Sequence, residues 1–179
     1  MNNPLLDEGE LPAFDTIRPE HIGPALDVLL AEAEAALAAA GGPAVPADLD
    51  ALARVLDLPV ERLQRAWGHV VHLQEVADAP ALREAFAAQQ PRITDFLTRL
   101  GADRGLYAKT RAIAASPGFA ALPPARRKAV QDALRDFELG GAALEGAARE
   151  RFAAIQARLA ELSRRFGENV LDATDAWHL

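Results

Sequence analysis

The sequence contains no cysteine. This excludes disulfides and thiolate chemistry, catalytic or metal-ligating, and fits a reducing compartment. Lysine is almost absent, with Lys109 and Lys128 standing against arginine at every other basic position. There is no surplus of positive charge: 19 basic residues against 26 acidic ones give a formal charge of -7. A chain with that balance does not offset the phosphates of nucleic acid or of an anionic membrane. No uninterrupted apolar stretch approaches the roughly 20 residues that a membrane-spanning helix requires. The opening residues, "MNNPLLDEGELP", lack a basic region followed by an apolar run, so no signal peptide is visible. Cytoplasmic placement, without nucleic-acid or membrane partners, is the expectation.

What is present is alanine, leucine and helical periodicity. The 179 residues suffice for one domain, with half of them apolar and a quarter charged. Residues 1–18 read as an extended, proline-rich strap. Pro19 to Gly23 reads as a short turn, followed by a helix from Pro24 to about Ala40 with Leu26, Leu29, Leu30 and Leu37 as its stripe. "GGPAVP" stops it. Asp48 caps a short helix, and Pro59 opens another carrying Leu63, Trp67 and Val70. Asp78 is a candidate cap for a helix bearing Leu82, Phe86, Ile93, Phe96 and Leu100, which Pro91 should kink or split. Leu106, Tyr107 and Ile113 mark the next helix. Pro123–Pro124 and Gly140–Gly141 bracket one with Val130, Leu134 and Phe137 on its stripe. The last is long, about Gly146 to Ala173. Phe152, Ile155, Leu159, Leu162 and Phe166 are spaced 3, 4, 3, 4 along it, the seam of a left-handed helix pair. No stretch alternates as a strand would. The expected class is all-α, a bundle of about seven helices, with residues 19–179 forming the helical domain.

Residues that bring chemistry are few. His69 and His72 lie three apart and share a helix face, a geometry that can hold a metal given a third ligand. No H-E-x-x-H or H-x-x-E-H string supplies one. A groove-facing helical pair is the simpler reading, with no metal or cofactor held by this chain. His21, beside a proline turn, suits a structural role at a helix start, and His178 is expected to be exposed. The carboxylate pairs Asp132/Asp136, Asp136/Glu138 and Asp172/Asp175 read as solvated faces, because acid–base work needs a shifted pKa and access that spacing does not show. Ser116 and Ser163 have no nucleophile-elbow context, and "GGAALEG" lacks the phosphate-loop lysine. In "RDFEL", Arg135 and Phe137 read either as an interhelical ion pair around a buried ring or as the wall of a cleft. His69, His72, Arg135 and Phe137 are the candidate site residues; no catalytic residue is assigned.

The ending, "ENVLDATDAWHL", has no glycine or proline stop after Asn169, so the chain is expected to be a piece of a longer polypeptide. The strings "NPLL", "LPAFDTIRPEHIGPAL", "HLQEVADAPALREAF", "KAVQDALRDFELGGAAL" and "NVLDATDAW" resemble, in order, the N-terminal region of the oligopeptidase A branch of the thimet-oligopeptidase family of zinc metallopeptidases. The resemblance runs from Asn3 to Leu179. It implies a two-lobed helical parent that cleaves short peptides, with a zinc on an H-E-x-x-H helix downstream of these residues. This chain would then be the non-catalytic N-terminal helical domain, one wall of the channel, inactive alone, with the catalytic domain of the same polypeptide and short peptides as partners. The strap would lie across the helical lobe. The alternative is a standalone helical peptide-binding or structural domain without enzymatic activity.

Overall fold

The computed structural model of the protein describes residues 3–7, 9 and 11–177. Among them are six α-helices and no strand: α1 (Pro19–Gly41), α2 (Leu49–Val76), α3 (Pro80–Gly101), α4 (Arg104–Ala115), α5 (Pro124–Leu139) and α6 (Gly146–Asp175). Short 3-10 turns at Pro4–Leu6, Phe14–Thr16 and Phe119–Ala121 punctuate the connections. The class is all-α as expected, but the helices are fewer and longer, and the N-terminal segment is interrupted by two of these turns rather than extended throughout.

The helix count falls because three prolines fail to break their helices. Pro24, Pro59 and Pro91 lie inside α1, α2 and α3 respectively. Each removes the N–H that the carbonyl four residues back would accept, here Glu20, Val55 and Ala87, at a cost of about 3 kcal/mol. In each case side chains on both sides of the proline dock on one core. Ile22 and Ala25 flank Pro24 and are fully buried; Phe86 and Ile93 flank Pro91 and are buried. Val55, Leu56, Val60 and Leu63 do the same around Pro59. Burying one such side chain contributes about 1.5–3 kcal/mol, enough to hold both halves in register. Thus the separate turn expected at Pro19–Gly23 is the first turn of α1, and the two helices expected around Pro59 are one. Asp78 does not cap α3 either. Ala79 is the N-cap, and the Asp78 carboxylate is taken by Arg83, with Nε to Oδ1 at 2.8 Å and Nη2 to Oδ2 at 2.5 Å.

α1 is the centre of the bundle and packs against α2, α3 and α4. Its leucine stripe, Leu26, Leu29, Leu30 and Leu37, is buried, interleaved with buried Ala25, Ala33, Ala36 and Ala40 that let neighbouring helices approach closely. Leu63 and Val70 of α2, Phe96 of α3 and Val130 of α5 are fully buried as well. Two junctions depend on glycine. At the end of α5, Gly141 adopts φ +88° while Ala142 N–H donates to Phe137 C=O at 2.9 Å and Gly141 N–H to Glu138 C=O at 3.2 Å, a Schellman stop. Where α1 ends against the start of α4, Gly105 lies so close that a Cβ there would sit 2.6 Å from the Gly41 carbonyl oxygen. The Lys109 ammonium donates to the carbonyls of Ala40 and Gly42, placing a cation at the negative end of α1.

α6 runs antiparallel to α3: Gln90 Nε2 donates to Ala160 C=O at 3.2 Å, and the Arg83 guanidinium reaches Asp172 near the far end, Nη2 to Oδ1 at 2.5 Å. The helix pair read from its apolar spacing is not there. α6 has no buried residue, and it faces α3 through Ala153, Ala157, Ala160, Glu161 and Arg164. The reason is complementarity. The opposing side of α3 presents Ala87, Gln90, Pro91, Thr94, Asp95 and Thr98, short or polar side chains that suit alanines and charged residues better than a ridge of leucines. Phe152 is half-buried beside Leu97 and Gly140, but the rest of the apolar seam, Ile155, Leu159, Leu162 and Phe166, points away from the bundle.

Candidate functional site

The four candidates fall into two places. His69 and His72 lie on α2 beneath the N-terminal segment. That segment is pinned by Leu5 and Ile17, which are buried, and by Asn3, whose Oδ1 accepts from Leu5 N–H at 3.0 Å while its Nδ2 donates to His21 C=O at 2.7 Å. Between those anchors the ring of Phe14 rests on both histidines, at 5.4 Å from His69, edge-on, and 5.1 Å from His72. His21 Nδ1 accepts from Arg18 N–H at 3.1 Å, which makes it part of the α1 cap, the structural role its position suggested. His178 lies outside the described residues. Beside His69 is a cavity of about 150 Å³ bordered by Asp7, Pro12 and Arg65.

Burial holds His69 below the ordinary imidazole pKa, and the nearby Arg65 charge and the His72 ring push the same way. The ring is therefore held toward the neutral form. A third ligand is missing: among the described residues no three His, Asp or Glu side chains gather in a way that could hold a metal ion. A consequence follows for stability. His69 in the folded chain resists the proton that it accepts when unfolded, so this contribution is complete above pH 6.5 and is lost as pH falls from 6.5 through the lowered folded value. Urea unfolding at stepped pH is expected to show the loss, and His69→Gln to flatten that window. An unchanged slope in the variant would contradict the assignment.

Arg135 and Phe137 lie on α5. The Arg135 guanidinium is exposed and reaches Asp132 and Asp136 of its own helix, each at 3.5 Å, so the interhelical ion pair considered above is not formed. Phe137 is half-buried, 6.1 Å from the Tyr107 ring, and Tyr107 Oη donates to Glu138 Oε1 at 3.2 Å. Phe137 borders an apolar cavity of about 280 Å³ with Leu56, Leu100 and Leu106. Among the described residues no hydrogen bond, ion pair or ring contact joins this place to the histidine pair. Two of the carboxylates considered for acid–base work are engaged otherwise. Lys128 holds Asp132, and Arg83 holds Asp172, below the carboxylate range. A group held ionised in this way does not serve as a general acid near neutrality. Phe14 was not a sequence candidate; its signal is a large aromatic in a polar, proline-rich segment, which has to find cover somewhere.

Comparison with known proteins gives these two places a context. Residues 26–149 match the neurolysin/thimet oligopeptidase N-terminal domain. The chain belongs to that family. Oligopeptidase A of Salmonella typhimurium is 37% identical over 177 residues, and that of Haemophilus influenzae 38% over 191, each comparison covering 99% of this chain and 26% of the relative. The probable cytosolic oligopeptidase A of Arabidopsis thaliana is 38% identical over 176 residues, covering 97% and 24%. The chain thus spans about a quarter of the length of these oligopeptidases. His69, His72, Arg135 and Phe137 all lie within the matched family domain, whereas Phe14 and most of α6 lie outside it. Among the described residues no helix is long and apolar enough to cross a membrane.

Proposed function

We propose that this chain is the non-catalytic N-terminal helical domain of a cytoplasmic, zinc-dependent oligopeptidase that hydrolyses short peptides, and that it forms part of the wall of the substrate channel. The match of nearly the whole chain to a quarter of oligopeptidase A carries the reading. The residues present do not fit zinc. The His69 and His72 rings are against Phe14, no third ligand joins them among the described residues, and no H-E-x-x-H string occurs in the 179 residues. The metal and the bond-breaking chemistry belong to polypeptide beyond this chain. The role of these residues is steric: a rigid wall admits a single extended peptide and refuses a folded domain. Of the four candidates, Phe137 suits the channel side best, bordering an apolar hollow able to take a peptide side chain, while the exposed Arg135 guanidinium lies on another face of α5, able to meet a peptide carboxylate. The histidine pair suits anchorage of the N-terminal segment.

The direct test is to offer the purified chain a set of short peptides with added zinc. No turnover is expected. Turnover that disappears in His69→Ala or His72→Ala would overturn the proposal, and peptide affinity retained without turnover would instead favour an independent peptide-binding domain.

A further inference from the structure

The seam of α6 is the largest apolar feature of the described residues that nothing in the chain covers. Ile155, Leu159, Leu162 and Phe166 are 52%, 55%, 45% and 71% exposed. They extend for about 16 Å at the helical rise. The residues that meet α3 lie on the opposite side of α6, so the seam cannot close by a small shift within the chain. Its two edges differ in charge. Arg151, Arg158 and Arg165 recur every seven residues along one edge; Gln156, Ser163 and Val170 recur along the other. One carboxylate, Glu161, answers two of the arginines, at 2.5 Å from Arg158 and 3.9 Å from Arg165. The arginine edge therefore keeps an excess of positive charge.

We propose that this seam seats an amphipathic helix whose own flank is acidic, supplied by the polypeptide that lies beyond this chain in the longer parent. The source rests on the proposed function; the chemistry rests on the seam alone. A spacing of 3 and 4 over two heptads is what a helix partner reads, and flanking charges set which partner is accepted. A second copy of the chain is a poor match. Antiparallel self-pairing brings arginine edge against arginine edge, and parallel self-pairing sets arginines against Gln156, Ser163 and Val170, which answer none of the charge. The relatives are about four times as long as this chain, which leaves ample polypeptide to supply the occupant.

Two synthetic 21-residue helices with Leu at both seam positions, one flanked by Glu and the other by Lys, test the chemistry against the intact 179-residue chain. The Glu-flanked helix is expected to bind at least about tenfold more tightly at low salt. Arg158→Glu with Arg165→Glu should reverse the preference, and Leu159→Asp with Leu162→Asp should abolish binding of both. All four positions are exposed, and an unchanged circular dichroism spectrum confirms that the variants fold. Equal affinity for the two helices, no binding, or a seam-dependent dimer of the chain alone in sedimentation would overturn the proposal. Co-expression with the remainder of the reading frame as a second polypeptide tests the source. Association lost in Leu159→Asp with Leu162→Asp supports it, and association indifferent to them overturns it. Peptide hydrolysis by the reassembled pair is scored separately, so that failure of the oligopeptidase reading is not mistaken for failure of the seam.

Discussion

Phe96→Ala is expected to remove about 3–5 kcal/mol of stability, a large share of the roughly 5–15 kcal/mol that a folded domain has. Phe96 is fully buried and is the largest such side chain in the molecule. It projects from α3, the helix that links the α1-centred core to α6. Truncation there loses the transfer free energy of the ring and leaves a void that the surroundings can fill only in part. Leu5, Ile22 and Leu26 belong to the same cluster, so collapse into the void would have to move α1, the element that α2, α3 and α4 pack against. Denaturant unfolding followed by circular dichroism reads the effect as a fall in midpoint at unchanged slope. Leu159→Ala serves as the control: an exposed leucine on the same kind of helix should change stability by no more than about 0.5 kcal/mol. A Phe96→Ala variant within 1 kcal/mol of the parent would mean that the core is not built as described.

Gly105→Ala is expected to destabilise by about 1–3 kcal/mol, although alanine is the better helix former. The added Cβ would lie 2.6 Å from the carbonyl oxygen of Gly41 and 3.0 Å from its Cα. Both are backbone atoms, so no side chain can swing aside, and α1 and α4 must part. Parting them also strains the Lys109 ammonium from the carbonyls of Ala40 and Gly42. Gly68→Ala is the matched control. It sits in the middle of α2 with nothing within 4 Å of the added carbon, and it should stabilise by about 0.5–1 kcal/mol. Opposite signs at two helical glycines, read in the same denaturation experiment, isolate close packing from helix propensity. Two stabilised variants would refute the close approach at Gly105.

The class of fold was legible because leucines and alanines recur with helical period and because Pro124, Gly141 and the Asp48 cap mark ends locally. What escaped is long-range. Whether Pro59 ends a helix depends on Val55, Leu56 and Val60 finding the same core, which no window around Pro59 reveals. The heptad spacing of α6 correctly reports a stripe, but period alone does not say whether the mate is inside the chain. Here α3 offered threonines and a glutamine, and the stripe faced out. The candidate site divides in the same way. The shared face of His69 and His72 follows from their spacing, while the partner that covers them, Phe14, is more than fifty residues away in sequence. The side chains of Arg135 and Phe137 could be picked out, but not that Arg135 would satisfy itself within its own helix.

The manner in which α6 is attached has a mechanical consequence. Its ties to the bundle include a side-chain amide to one carbonyl, a guanidinium shared between Asp78 and Asp172, a strip of alanines, and the half-buried Phe152 ring beside Leu97 and Gly140. None of these penetrates the interior, so the free energy needed to swing the helix off α3 is decoupled from the free energy that holds α1 to α4 together. Loss of the α6 contacts would therefore leave the buried core around α1 intact.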